Sequence, residues 1–179
     1  MSTISGGPEW YILENTLRYE PPGKPRLLIQ VESSGYDDSP LYRAQRIVIN
    51  GTQVYYADAP RSYQVTRITQ NLLTGQYTWN STNGYDVYGS TANATSMNTF
   101  LDTFNTRDIL IINTNDEPFS NRSPFQTNLI NNFYSRLQSS PIWDFRCSYM
   151  LISIKGKQNI YESIEPRFSD SIRTTLWTY

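Results

Sequence analysis

Asp116 and Glu117 stand side by side where an apolar run, Ile109-Leu110-Ile111-Ile112, gives way to Asn113-Thr114-Asn115 and then to Pro118. Two carboxylates can divide acid and base work between them or ligate a hard cation. Adjacent residues of an extended chain point to opposite faces, however, and no third ligand accompanies them. We therefore expect a turn closed by Pro118, with Asp116 forming a structural pair with Arg146. The chain contains no histidine. That excludes histidine-activated nucleophiles, imidazole acid–base chemistry and His-ligated metals. Only carboxylates, Tyr, Lys and Arg remain for catalysis, so we expect a non-enzyme with no catalytic residue, metal or cofactor. Cys147 follows Arg146, and a neighbouring cation can activate a thiol. At the head of an apolar strand it reads instead as an inert core residue. As the single cysteine it cannot form an intrachain disulfide.

What remains is aromatic. Hydrophobic residues make up 38% of the 179, a low share that 14 Tyr and 4 Trp offset, because each ring buries a large area and keeps a polar tip. Trp10, Tyr11, Trp79, Tyr85 and Tyr88 are the binding candidates. Their flat rings could stack on a sugar or on a protein partner, or could fill the core or an oligomer interface. The formal charge of -1 and scattered arginines argue against nucleic acid. No apolar run has the length to span a bilayer, so no membrane insertion is expected. Residues 1–7 lack the basic and apolar regions of a signal peptide. With the lone cysteine, this points to folding in a reducing cytosol. Asn50-Gly51-Thr52, Asn80-Ser81-Thr82, Asn93-Ala94-Thr95 and Asn121-Arg122-Ser123 fit the glycosylation pattern, but at this Asn, Ser and Thr content such triplets arise by chance.

The elements that must position these residues follow from periodicity. Met97, Phe100, Leu101 and Phe104 recur at helical spacing, with Asn93, Thr95 and Ser96 as N-cap candidates. Ile109 to Ile112 reads as a strand covered on both faces. Ser123-Pro124-x-Gln126 is a capping box opening a second helix with Phe125, Leu129, Ile130, Phe133, Tyr134 and Leu137 on one stripe, ended at Ser139-Ser140-Pro141. Residues 149–154 form a second buried strand. Trp10-Tyr11-Ile12-Leu13, Leu27 to Val31 and Tyr63 to Ile68 are further strands, with a loop at Ser33-Ser34-Gly35 and Asp37-Asp38-Ser39-Pro40. Asn50-Gly51 predicts a type I′ hairpin between residues 46–49 and 52–56. Turns are expected at Thr74-Gly75 and Asn83-Gly84.

The order of these pieces, from Arg46-Ile47-Val48-Ile49-Asn50-Gly51-Thr52 through Tyr85-Asp86-Val87-Tyr88, helix, Asp108 to Ile112, Asn115-Asp116-Glu117-Pro118, helix, and Phe145-Arg146-Cys147-Ser148-Tyr149 to Gly156, resembles the interleukin-like EMT inducer (ILEI/PANDER) domain family over residues 43–157. The resemblance implies an α+β fold: two packed β-sheets, sandwich-like, with two main helices outside. It implies no catalytic residues. The chain departs from the animal members in lacking disulfides and a secretion signal, and in about twenty-five inserted residues after the hairpin. Copies of the domain without disulfides occur in tailed-bacteriophage virion proteins.

The expected organisation is an N-terminal interaction arm (1–25), an ILEI-like domain (26–160) and a C-terminal extension (161–179) whose Thr174-Thr175-Leu176-Trp177 run reads as an added strand. The expected role is a non-enzymatic structural or adaptor protein of a bacteriophage particle, in its tail, fibre attachment or capsid decoration. It would be assembled in the host cytoplasm, in several symmetric copies or as a homo-oligomer, and would touch other virion proteins. The alternatives are a carbohydrate-binding module for a host-surface glycan, or a secreted cytokine-like protein.

Overall fold

A computed structural model describes residues 10–12, 27–38, 45–57, 61–137 and 143–178. Its strands are β1 (Trp10–Ile12), β2 (Leu27–Ser33), β3 (Gln45–Ile49), β4 (Thr52–Ala57), β5 (Ser62–Gln70), β6 (Tyr77–Tyr85), β7 (Ile109–Asn115), β8 (Ser148–Ile154), β9 (Gln158–Glu165) and β10 (Ile172–Thr178). Its helices are α1 (Thr91–Asp102) and α2 (Ser123–Phe133). The strands form two five-stranded antiparallel sheets, ordered β1-β10-β2-β3-β4 and β6-β5-β7-β8-β9.

The layers are sheet, sheet, helices. Between the sheets lies an aliphatic core: Leu27, Ile29, Val31, Ile47, Ile49, Ile172 and Leu176 from the first sheet meet Ile68, Ile109, Ile111, Met150 and Ile152 from the second. On the second sheet's far face, Tyr63, Val65, Leu110, Ile112, Tyr149 and Leu151 pack under Met97, Leu101, Phe125, Leu129 and Phe133 of the helices. Every residue of β7 and β8 is buried. The expected doubly covered strand is therefore observed, and the alternation of Ile109 and Ile111 with Leu110 and Ile112 divides it between two cores.

The I′ hairpin forms as its Asn-Gly pair predicts, with Asn50 at φ 51° and Gly51 at φ 81°. Several local expectations are corrected. Ser90 is the N-cap of α1, its side chain accepting from the Ala92 amide at 3.1 Å, ahead of all three candidates. Ser123 is the first residue of α2; the cap position falls on Arg122, with no side-chain bond. The helix stops at Tyr134, which turns left-handed at φ 56°, well before Pro141; Leu137 is buried all the same. Asn83-Gly84 makes no turn. Pairing of Asn83 with Val65 and Gly84 with Gln64 carries β6 straight through it. Long-range pairing outweighs a local turn signal there.

The expected boundary at residue 160 falls within β9. The C-terminal strand is β10, which lies second in its sheet, between β1 and β2. The arm contributes β1; its other residues lie outside those described, as do Ser39 and Pro40.

Candidate docking surface

The carboxyl ends of β2, β6, β7 and β9 and the amino ends of β3, β5, β8 and β10 share one end of the sandwich. Buried polar residues close this end. Gln45 Nε2 donates to the Ser62 carbonyl at 2.9 Å and the Asn113 carbonyl at 3.2 Å, and Gln64 Nε2 donates to Gln45 Oε1. Ser33 Oγ donates to the Tyr149 carbonyl at 2.7 Å. The chain leaving β2 then crosses to the other sheet: the Ser34 amide donates to the Thr114 carbonyl at 2.9 Å and the Tyr36 amide to the Asp116 carbonyl at 3.0 Å. Gly35 makes this crossing feasible. A Cβ at that position would sit 2.3 Å from the Arg146 carbonyl oxygen, a backbone atom that cannot swing aside.

On this closed end lies a continuous ridge of rings and guanidinium groups. Arg61 Cζ sits 5.3 Å above the Tyr88 ring. Tyr88 and Phe145 have centroids 6.4 Å apart. Arg146 lies 5.0 Å from the Phe145 ring centre and 4.1 Å from that of Tyr36. Arg167 covers Phe168 at 4.5 Å. Tyr36, Tyr88 and Phe145 are 37%, 43% and 38% exposed, and Phe168 is 71% exposed. Such cation–π contacts are each worth roughly 0.5–1 kcal/mol at exposed sites.

Ion pairs hold the cations in place. Arg61 Nη2 meets Asp86 Oδ2 at 2.6 Å. Asp37 Oδ2 takes both Arg146 Nη1 at 3.3 Å and Arg167 Nε at 2.5 Å. Burial alone would raise the Asp37 carboxyl, but its bonds to Arg167 and Arg146 outweigh that and hold it below the usual range. Asp38 has no such support. Burial pushes it up to about 6; the Gly35 amide, donating to Oδ2 at 2.6 Å, opposes this, while Asp37, Asp170 and Glu165 add to it.

The turns carrying the ridge adopt backbone that L residues seldom take. Ser62, Asp116, Arg146 and Phe168 have φ of 73°, 69°, 63° and 68°. A bulky side chain there costs on the order of 1 kcal/mol or more. Packing against Gly35 and pairing with Asp37 hold Arg146 in that form.

The structural pair expected of Asp116 and Arg146 does not form, because the crossing of β2 places Asp37 within reach of Arg146 first. Asp116 is raised by burial, with Arg146 acting on it only as a partly offsetting charge. Asp116, at φ 69°, lies in a bend and is only partly buried, whereas Glu117 is 1% exposed. Glu117 is buried and its carboxylate accepts from the Phe119 amide at 2.8 Å and the Ser120 amide at 3.1 Å, which makes it a turn cap. Among the described residues, no group of three or more His, Cys, Asp or Glu is placed to hold a metal ion. Burial pushes the Cys147 thiol up to about 12, consistent with an inert core residue.

The five aromatic candidates do not converge. β3 lies against β7 and β10 against β8 and β9, which puts β1, carrying Trp10 and Tyr11, and β6, carrying Trp79, at opposite edges of the sandwich. The side chains of Trp10 and Tyr11 lie outside those described. Trp79 is 44% exposed, its Nε1 donating to Thr82 Oγ1 at 3.1 Å. Tyr85 is half-buried against Phe100 of α1, at 6.3 Å between centroids. Tyr88 alone of the five stands on the ridge. Tyr36, Arg61, Phe145, Arg167 and Phe168 were not singled out from the sequence. A signal was present: Tyr36-Asp37, Phe145-Arg146 and Arg167-Phe168 each set an aromatic beside a charge within a turn.

No helix among the described residues is long and apolar enough to cross a membrane, which says nothing of strands. No curated protein matches the chain. The family model described as interleukin-like EMT inducer matches residues 61–157, from Arg61 on the ridge to the residue before β9. The β3–β4 hairpin included in the resemblance lies outside that match. The match takes in β5, β6, α1, β7, α2 and β8, the core of the helix-covered layer, and spans more than half of the sequence: this chain belongs to the interleukin-like EMT inducer family.

Proposed function

We propose that this protein is a non-enzymatic adaptor that docks a protein partner on the ridge formed by Tyr36, Arg61, Tyr88, Phe145, Arg146 and Phe168. One observation carries the proposal: exposed Tyr, Phe and Arg side chains stand in continuous contact on turns whose unusual backbone is stabilised from beneath. Exposed rings and arginines are what interface hot spots are made of, and a surface ordered in advance loses little side-chain entropy on binding. The setting that sequence analysis suggests is a bacteriophage particle, with other virion proteins as partners. In the test, a Tyr88→Ala/Phe145→Ala double variant with native circular dichroism is scored for incorporation into particles. Loss of incorporation is expected; retention at the parent level would reject the ridge as the docking surface.

A second reading is a carbohydrate-binding module. It is favoured by the Tyr88 ring lying beside the Arg61–Asp86 pair, which sets donors and acceptors for hydroxyl groups next to a flat apolar face. A glycan array probed with the parent and with Tyr88→Ala and Trp79→Ala variants separates the two. No binding by the parent removes this reading and leaves the first untouched.

A further inference from the structure

We infer that β6 is a self-pairing edge, through which a second copy of this chain extends the helix-covered sheet across a two-fold axis. Between Arg67 and Asp86 no residue is charged, the longest such run in a chain that is 17% charged. That run folds into the β5–β6 hairpin, and β6 is the outer strand of its sheet. Solvent-facing edges are ordinarily blunted by lysine, proline, inward charges or bulges. β6 has neither charge nor proline along nine residues. A single bulge at Asn80, where the register against β5 shifts, is what interrupts it. The opposite edge of the same sheet, β9, carries Glu162 and Glu165.

The hairpin tip makes the same point. Asn71 Oδ1 accepts from the Leu73 amide at 2.9 Å and the Thr74 amide at 3.2 Å, which fixes the turn. It thereby holds Leu72 and Leu73 outward, 66% and 98% exposed. Burying these two adjacent leucines takes a surface that the hairpin itself does not supply.

A second copy answers both features. An uncharged strand meets its own antiparallel image without repulsion, and an isologous contact uses each patch twice. Antiparallel pairing brings the tip end of one β6 beside the Tyr85 end of the other. Leu72 and Leu73 then reach the region where the partner's Tyr85 and the partner's Phe100 lie half-buried. The contact borders the ridge at Tyr85, beside Asp86, and does not depend on the docking function proposed for the ridge.

Sedimentation velocity over a concentration series tests the inference on the full chain. The parent is expected to dimerise. Asn80→Lys, which sets two ammonium groups near the axis, is expected to weaken dimerisation about tenfold or more. Thr52→Lys, on the β4 edge, and the Tyr88→Ala/Phe145→Ala variant are expected to dimerise like the parent. A parent that stays monomeric at every concentration overturns the inference, as does an Asn80→Lys variant that pairs as well as the parent. Dissociation caused by the β4 or ridge variant alone would also overturn it. Should Asn80→Lys fail to fold, amide exchange of residues 77–85 in the parent decides: protection rising with concentration is expected, and concentration-independent exchange rejects it.

Discussion

The ridge and the β5–β6 hairpin are both exposed and both rich in large side chains, yet they are built in opposite ways. Each ridge arginine named above is paired with a carboxylate, and its turns are tied by backbone bonds across the two sheets. The run from Ile68 to Tyr85 carries no charge and includes the outer strand of its sheet. A ridge of this kind presents side chains in fixed directions, which suits recognition of a particular partner. An uncharged edge presents backbone, which suits another strand. The two proposed contacts would therefore differ in selectivity, one set by side-chain chemistry and the other by strand pairing.

The comparison breaks most sharply at Gly35, which stands under the ridge. Gly35→Ala forces a methyl group to within 2.3 Å of the Arg146 carbonyl. We expect a loss on the order of 3 kcal/mol or more in denaturant unfolding, typical of severe overpacking. We also expect loss of the ridge's partner binding while β6 self-pairing persists in whatever fraction folds. A variant as stable as the parent would show that the crossing is not rigid.

Asp38 comes next. Its folded pKa, raised to about 6, lies above the 3.8 of the unfolded chain, so the folded state binds the proton more tightly. Ionised Asp38 therefore costs stability fully above about pH 6, and the cost fades as pH falls from there towards the unfolded pKa. Asp38→Asn is expected to stabilise the fold by up to about 3 kcal/mol at neutral pH, using about 1.4 kcal/mol per pKa unit, with the gain shrinking towards pH 4. A gain that does not change between pH 4 and 7 would contradict this origin.

The smallest expected effect on stability sharpens the contrast instead. Phe168 is largely exposed, with Arg167 lying over its ring. Phe168→Ala should change stability by less than about 0.5 kcal/mol even though it removes a large ring. Calorimetry that shows a large drop in midpoint would mean that the ring is structural.

Much of the scaffold was legible because it rests on local physics. The unbroken apolar run Ile109-Leu110-Ile111-Ile112 and the helical spacing of Phe125, Leu129 and Phe133 placed β7 and α2 without reference to anything distant. The Asn50-Gly51 turn followed from its need for positive φ. Asn83-Gly84 misled for the same reason: its turn preference is local, and pairing with Val65 and Gln64 overrides it. β9 was not anticipated, since Gln158 to Glu165 alternates weakly and becomes a strand by pairing with β8.

The sequence by itself determined that histidine chemistry is absent, that Cys147 cannot bridge to a second cysteine in the chain, and that an α-on-β layer surrounds a doubly buried strand. These conclusions depend on residue type and short spacing. Only the tertiary structure decided which arginine meets which carboxylate. Asp37 and Arg146 stand far apart along the chain and meet at 3.3 Å because β2 crosses from one sheet to the other at Gly35. No local preference encodes that meeting. Long-range partners are chosen by how strands stack, and stacking depends on the burial of the whole apolar surface at once.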